Sequence, residues 1–156
     1  MRIVLIMLAL LLLPIVSAVS DTTPPTLVSF DFEPKVVDVT QSDQTIKVTV
    51  QLKDDLSGVS NGVRGGYGVL APNVGFVSPS GKQSASVMFI STSKFLVSGD
   101  MLNGTYMDNM TLPQYSENGK WHIDYFYLVD NAGNDKSLNE TEIEKLGFPT
   151  VIEVKS

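Results

Sequence analysis

The chain contains no cysteine, a single histidine and a single tryptophan among 156 residues. Without cysteine there is no disulfide, no thiol nucleophile, no cysteine-ligated zinc and no iron–sulfur cluster. A lone His122 rules out paired-histidine zinc motifs. No Gly-x-Ser-x-Gly segment occurs, so His122 and the neighbouring Asp124 lack the strained serine elbow that a hydrolase triad would use. Basic residues are also scarce, eleven against seventeen acidic ones, for a formal charge of −6. That balance argues against nucleic acid and against anionic membrane surfaces, both of which require a cationic face.

Long apolar runs are missing as well, with one short exception at the start. Arg2 precedes an uninterrupted apolar stretch over residues 3–13, followed by Pro14 and the small-residue sequence Val16-Ser17-Ala18. About eleven apolar residues are too few for a spanning helix, which takes roughly 20. The pattern is that of a secretory leader over residues 1–18, cleaved after Ala18. No cysteine follows that site, which excludes a lipoprotein anchor. The expected product is secreted or held at the cell surface, with no membrane contact once the leader is gone.

Beyond the leader, residues 19–25 read as an extended linker, because Pro24 and Pro25 fix φ and remove two donors. Residues 26–156 read as one β domain. Val28, Phe30 and Phe32 alternate with polar neighbours, as do Ile46, Val48, Val50 and Leu52. Trp121, Ile123, Tyr125, Tyr127 and Val129 continue the period of two through the most aromatic strand of the chain. By the same count Phe126 and Leu128 fall on the opposite face. Tyr106, Asp108, Met110 and Leu112 share a face, placing a carboxylate where a dry core is expected. Residues 60–73 are glycine-rich and predict a long irregular loop with at most a short edge strand around Tyr67 to Leu70. Ser116-Glu117-Asn118-Gly119 carries an Asn-Gly hairpin signal. Near the end, Asn139 and Glu142 are spaced as a capping box for a short helix that Gly147 would terminate.

Two motifs stand directly after strand-like runs, Asp54-Asp55-Leu56-Ser57-Gly58-Val59 and Asp130-Asn131-Ala132-Gly133-Asn134-Asp135. Together with the linker and the aromatic strand, they resemble loop signatures of immunoglobulin-like modules, of the fibronectin-III and cadherin kind, in secreted and cell-surface proteins that are mostly bacterial. The resemblance implies an all-β Greek-key sandwich of about seven strands with one short helix in a late connection. It also implies a non-catalytic module for adhesion, spacing or protein interaction at the cell envelope, with a protein or a glycan as partner.

In that topology the two motif loops, the linker with Asp21, and Asp100 would gather at one end of the sandwich. Asp54, Asp55, Asp130, Asn131, Asn134 and Asp135 then form a candidate calcium site, since calcium takes six to eight hard oxygen ligands. Crowded carboxylates repel one another, and a cation relieves that repulsion. The second motif is not a helix-flanked calcium loop, because its sixth position is Asp135 where a glycine would be needed. Self-capped turns are the competing explanation, for Asp, Asn and Gly dominate turns on their own account. A carbohydrate-binding module is the alternative function, with Tyr67, Tyr106, Tyr115, Trp121, Tyr125 and Tyr127 as possible stacking platforms. Finally, Asn103, Asn109 and Asn139 each open an Asn-x-Thr sequon.

Overall fold

A computed structural model describes residues 19–63 and 69–156. The expected leader and Tyr67 lie outside them. The chain is predominantly strand. In order it forms β1 (Thr26–Glu33), β2 (Val36–Asp38), β3 (Gln44–Lys53), β4 (Gly62–Val63), β5 (Val69–Leu70), β6 (Asn73–Val77), β7 (Ser84–Met88), β8 (Leu96–Gly99), β9 (Asn103–Leu112), β10 (Gly119–Val129), β11 (Asp135–Leu138), α1 (Glu140–Lys145) and β12 (Val151–Lys155). Among the described residues, no helix is long and apolar enough to cross a membrane.

Two sheets carry the fold. One has the order β1-β3-β9-β8, all antiparallel. The other runs β2-β12-β10-β6-β7, with β2 parallel to β12 and β11 paired to the far half of β10. The alternating residues of β3 explain the packing. Ile46, Val48, Val50 and Leu52 are all buried, while their polar neighbours face outward. Ring contacts then join the sheets. Phe30 of β1 meets Phe126 of β10 edge-on at 5.2 Å, and Phe32 meets Phe76 of β6 in the same manner at 5.4 Å. Such pairs add about 0.5–1.5 kcal/mol each beyond the area they bury. With no disulfide to help, this core holds the domain.

The strand count exceeds the expected seven, because short β2, β4 and β11 were not legible in the pattern. The ribbon β4–β5 occupies part of the glycine-rich segment that was expected to be mostly irregular, and β5 falls within the short edge strand expected over residues 67–70. Bulges account for two further departures. One between Leu27 and Ser29 turns Leu27 inward and leaves Val28 exposed, where strict alternation had Val28 in the core. Another, between Ile123 and Tyr125 opposite β6, reverses the second half of β10. Trp121 and Ile123 are buried as expected, but beyond the bulge Phe126 and Leu128 enter the core and Tyr125 faces out. An extra residue on one strand shifts the phase of every residue after it.

The Asn-Gly segment is no hairpin, since β9 and β10 lie in different sheets and the chain crosses between them there. Asp108 does share the inward phase of β9, half-buried opposite Val48 and beyond the reach of β8. The helix is as expected. Asn139 caps α1, both hydrogen bonds of the capping box form, and Gly147 follows with φ of 83°.

Candidate functional site at the acidic pole

Four segments meet at one end of the two sheets: the linker, the loop after β3, the β8–β9 loop and the β10–β11 loop. Asp21 of the linker accepts from the backbone N–H of Ser57 at 2.7 Å. Thr23 donates its hydroxyl to Asp55 at 2.6 Å. Asn131 receives the backbone N–H of Asn61 on its oxygen, and its Nδ2 donates to the carbonyls of Ser57 and Val59. Asp54 and Val59 donate their backbone N–H groups to the carbonyls of Leu102 and Met101 in the β8–β9 loop.

The two motif loops are built alike. Asp54 Oδ1 accepts from the backbone N–H of Leu56 and of Gly58, at 3.1 and 2.6 Å. Asp130 Oδ1 accepts from Gly133 and Asn134, at 2.5 and 2.7 Å. Each carboxylate thus satisfies a tight turn that ends near a glycine of positive φ, Gly58 at 83° and Gly133 at 94°. At Gly58 the reason is also steric, because a Cβ there would lie 2.6 Å from Met101 Cγ. An antiparallel bridge between Val59 and Asp130 ties the loops together.

Their second carboxylate oxygens differ. Asp130 Oδ2 accepts from Asn134 Nδ2 at 2.6 Å, so both oxygens of Asp130 are occupied by its own turn. Asp54 is only 5% exposed, yet its Oδ2 is buried with no hydrogen-bond partner. Burial pushes the Asp54 carboxyl above the ordinary range, more than its two backbone hydrogen bonds pull it down, and the nearby charges of Asp21 and Asp130 push the same way. Asp21 moves in the opposite direction, held low mainly by its hydrogen bonds to Ser57 and Thr23.

Asp21, Asp54 and Asp55 each bring a carboxylate oxygen within 4.8 Å of the other two. Ligands at 2.3–2.6 Å from one calcium ion sit at most about 5 Å apart, so the spacing fits. Asp54 is also the residue of the triad with a buried carboxylate oxygen that has no hydrogen-bond partner. Of the six residues expected as ligands, Asp54 and Asp55 belong to this triad. Asp130 lies beside it, engaged in its turn, and Asn134 links it to Asp21 through Nδ2 at 3.3 Å. Both amide atoms of Asn131 hold loops together. Asp135 stands exposed at the start of β11, opposite Val129. Asp21, expected at this pole though not among the six ligands, completes the triad. A cleft of about 420 Å³ opens alongside, lined by Thr23, Pro24, Thr26, Lys53, Asp54 and Asp55.

The remaining candidates separate by burial. Trp121 and Tyr106 are core residues, and Trp121 donates its indole N–H to the Glu117 carbonyl. Tyr125 lies over Gly75, where a Cβ would be 2.6 Å from its ring. Tyr115 is the most exposed of the described tyrosines, on a backbone of φ 61°. His122 Nδ1 lies 2.7 Å from Glu140 Oε1 at the surface, and among the described residues no serine hydroxyl hydrogen-bonds to it.

The molecule is therefore an all-β domain with a carboxylate-lined pole. The family model described as Domain of unknown function (DUF7035) matches residues 20–154, and the chain belongs to that family. No curated protein and no solved structure matches it.

Proposed function

We propose that the protein is an exported, non-catalytic immunoglobulin-like module that mediates adhesion, spacing or protein interaction at the cell envelope, with calcium bound at its acidic pole. The observation that carries this reading is the strand order. A sheet β1-β3-β9-β8 facing β2-β12-β10-β6-β7 corresponds to immunoglobulin strands A, B, E, D against A′, G, F, C, C′. The parallel pairing of β2 with β12 corresponds to A′ beside G. It departs from antibody domains in having no inter-sheet disulfide and in carrying its buried tryptophan on β10. Support for calcium comes from the Asp21, Asp54 and Asp55 oxygens and the orphaned Asp54 Oδ2. A bound calcium ion would offset part of the pole's negative charge and join the linker to the loop after β3. Sandwich folds host many functions, so the partner must be sought at the surface and not in the architecture.

The test uses the leaderless protein and isolated cell envelopes of its source, in millimolar calcium and in EDTA. Saturable binding that weakens in EDTA and with Asp54→Ala is the expected result. Binding that is absent in both buffers would overturn the adhesive reading, and turnover of an envelope polymer would overturn the non-catalytic one.

A further inference from the structure

We infer that Asn103, Asn109 and Asn139 are sites of N-linked glycosylation, a modification that rests on the export reading above. Eight asparagines in a chain of this composition produce about one Asn-x-Ser/Thr sequon by chance. Here there are three, and each has threonine at its third position: Thr105, Thr111 and Thr141.

The fold leaves the modifiable atom of these asparagines accessible. All three are exposed. Asn103 Oδ1 accepts from Gln51 Nε2 at 3.0 Å, and Asn139 Oδ1 accepts from the Glu142 backbone N–H at 3.0 Å. In each case the oxygen is used by the fold, whereas among the described residues Nδ2 of Asn103, Asn109 and Asn139 donates no hydrogen bond. Outside the sequons, Asn73, Asn131 and Asn134 each donate Nδ2 to a carbonyl or a carboxylate within the fold, whereas Asn61 and Asn118, like Asn103 and Asn139, use only their oxygens. The sequon asparagines thus keep free the one atom that a glycan occupies. A substituted amide retains its oxygen as acceptor, so the cap on α1 survives modification.

The chemistry is a transfer without redox change. Nδ2 attacks the anomeric carbon of an oligosaccharide carried on a polyprenyl pyrophosphate. An N–C bond forms, the C–O bond to the pyrophosphate breaks with its electron pair, and the displaced amide proton passes to a base of the transferase. On β9 the two sites are six residues apart and point the same way, about 20 Å from each other at the usual rise per residue. Asn109 lies past the reach of β8, where β9 has no strand on its outer side among the described residues. A glycan there would shield an open sheet edge from pairing with another chain.

The full chain with its own leader is expressed in a eukaryotic secretory host, and the medium is analysed by peptide mass spectrometry before and after peptide-N-glycosidase. The expected result is secreted protein that loses three mass increments, leaving aspartate at positions 103, 109 and 139. Thr105→Ala, Thr111→Ala and Thr141→Ala should each remove one increment, and the last does so while keeping the Asn139 cap. Secreted, leader-cleaved protein with all three asparagines unmodified would overturn the inference and leave export standing. Retained protein with an intact leader and unmodified asparagines would overturn both.

Discussion

Two side chains at the acidic pole, Tyr106 and Asp54, hold polar atoms that the fold leaves without partners. Tyr106 is fully buried, its hydroxyl makes no hydrogen bond, and burial, with Asp100 and Asp54 adding negative charge nearby, pushes its pKa up from 10.0 to about 12. A buried hydroxyl with no partner costs about 1–3 kcal/mol. Tyr106→Phe should therefore raise stability by about 1 kcal/mol in urea unfolding, and a loss of that size would mean the hydroxyl is satisfied. The raised pKa contributes stability that is complete below pH 10.0 and lost as pH climbs through about 12, so the variant should also lose less stability across that alkaline window. Asp54 follows the same sign in the acid range. Its raised carboxyl favours the fold below the unfolded value of 3.8 and ceases to as pH rises through the folded value. At neutral pH the ionised, half-satisfied group opposes folding unless a cation pairs with it. Asp54→Asn should thus raise the melting temperature in EDTA, by the equivalent of about 1 kcal/mol, and abolish the response to calcium. Equal destabilisation in both buffers would reduce Asp54 to a turn acceptor.

At the scale of elements, the bulge in β10 decides which aromatic rings hold the sheets together. Phe126 is fully buried between Phe30 and Phe89, whereas Tyr125 lies outward over Gly75. Phe126→Ala should cost about 3–5 kcal/mol, as a large core truncation does, and Tyr125→Ala no more than about 1 kcal/mol. The reverse ranking would restore unbroken alternation along the strand. Alternation made β3 and α1 readable from sequence, since each depends on local pattern or local capping alone. It failed at Val28 and beyond Ile123 because a bulge is set by the partner strand, which the sequence of one strand does not reveal. Short β2 and β11 were hidden for a related reason: three or four residues carry too little periodicity, and their pairing with β12 and β10 defines them. The pole was legible in the same partial way. Self-bonding Asp54 and Asp130 announce their turns locally, and the expected topology put Asp21 at the same end, but the approach of its carboxylate to Asp54 and Asp55, across 33 positions or more, depends on how the linker folds back onto the loop, as the Thr23–Asp55 hydrogen bond shows across 32.

For the molecule as a whole, a cation at the pole would act where cross-links are missing. The domain has no disulfide, and its linker is tied to the loop after β3 through the hydrogen bonds of Asp21 and Thr23 with Ser57 and Asp55. A ligand that binds only the folded state stabilises it by linkage, about 2.7 kcal/mol at 100 times its dissociation constant. Extracellular modules bind calcium at about 10⁻⁴–10⁻³ M, so several millimolar is enough to see part of that gain. Calcium should raise the melting temperature and magnesium should do less, because the smaller ion demands tighter octahedral geometry and gives up water reluctantly. Asp21→Ala should lose most of the calcium response and in EDTA lose only what its hydrogen bonds to Thr23, Ser57 and Asn134 contribute, since Asp21 sits in the linker outside both sheets. Asp135→Ala should keep the full response, for Asp135 lies outside the triad. Differential scanning calorimetry of the three proteins in EDTA, calcium and magnesium separates these outcomes. Identical melting of the parent chain in EDTA and calcium would leave the pole as a set of hydrogen-bonded turns. Loss of the response with Asp135→Ala in place of Asp21→Ala would move the ion to the β10–β11 loop.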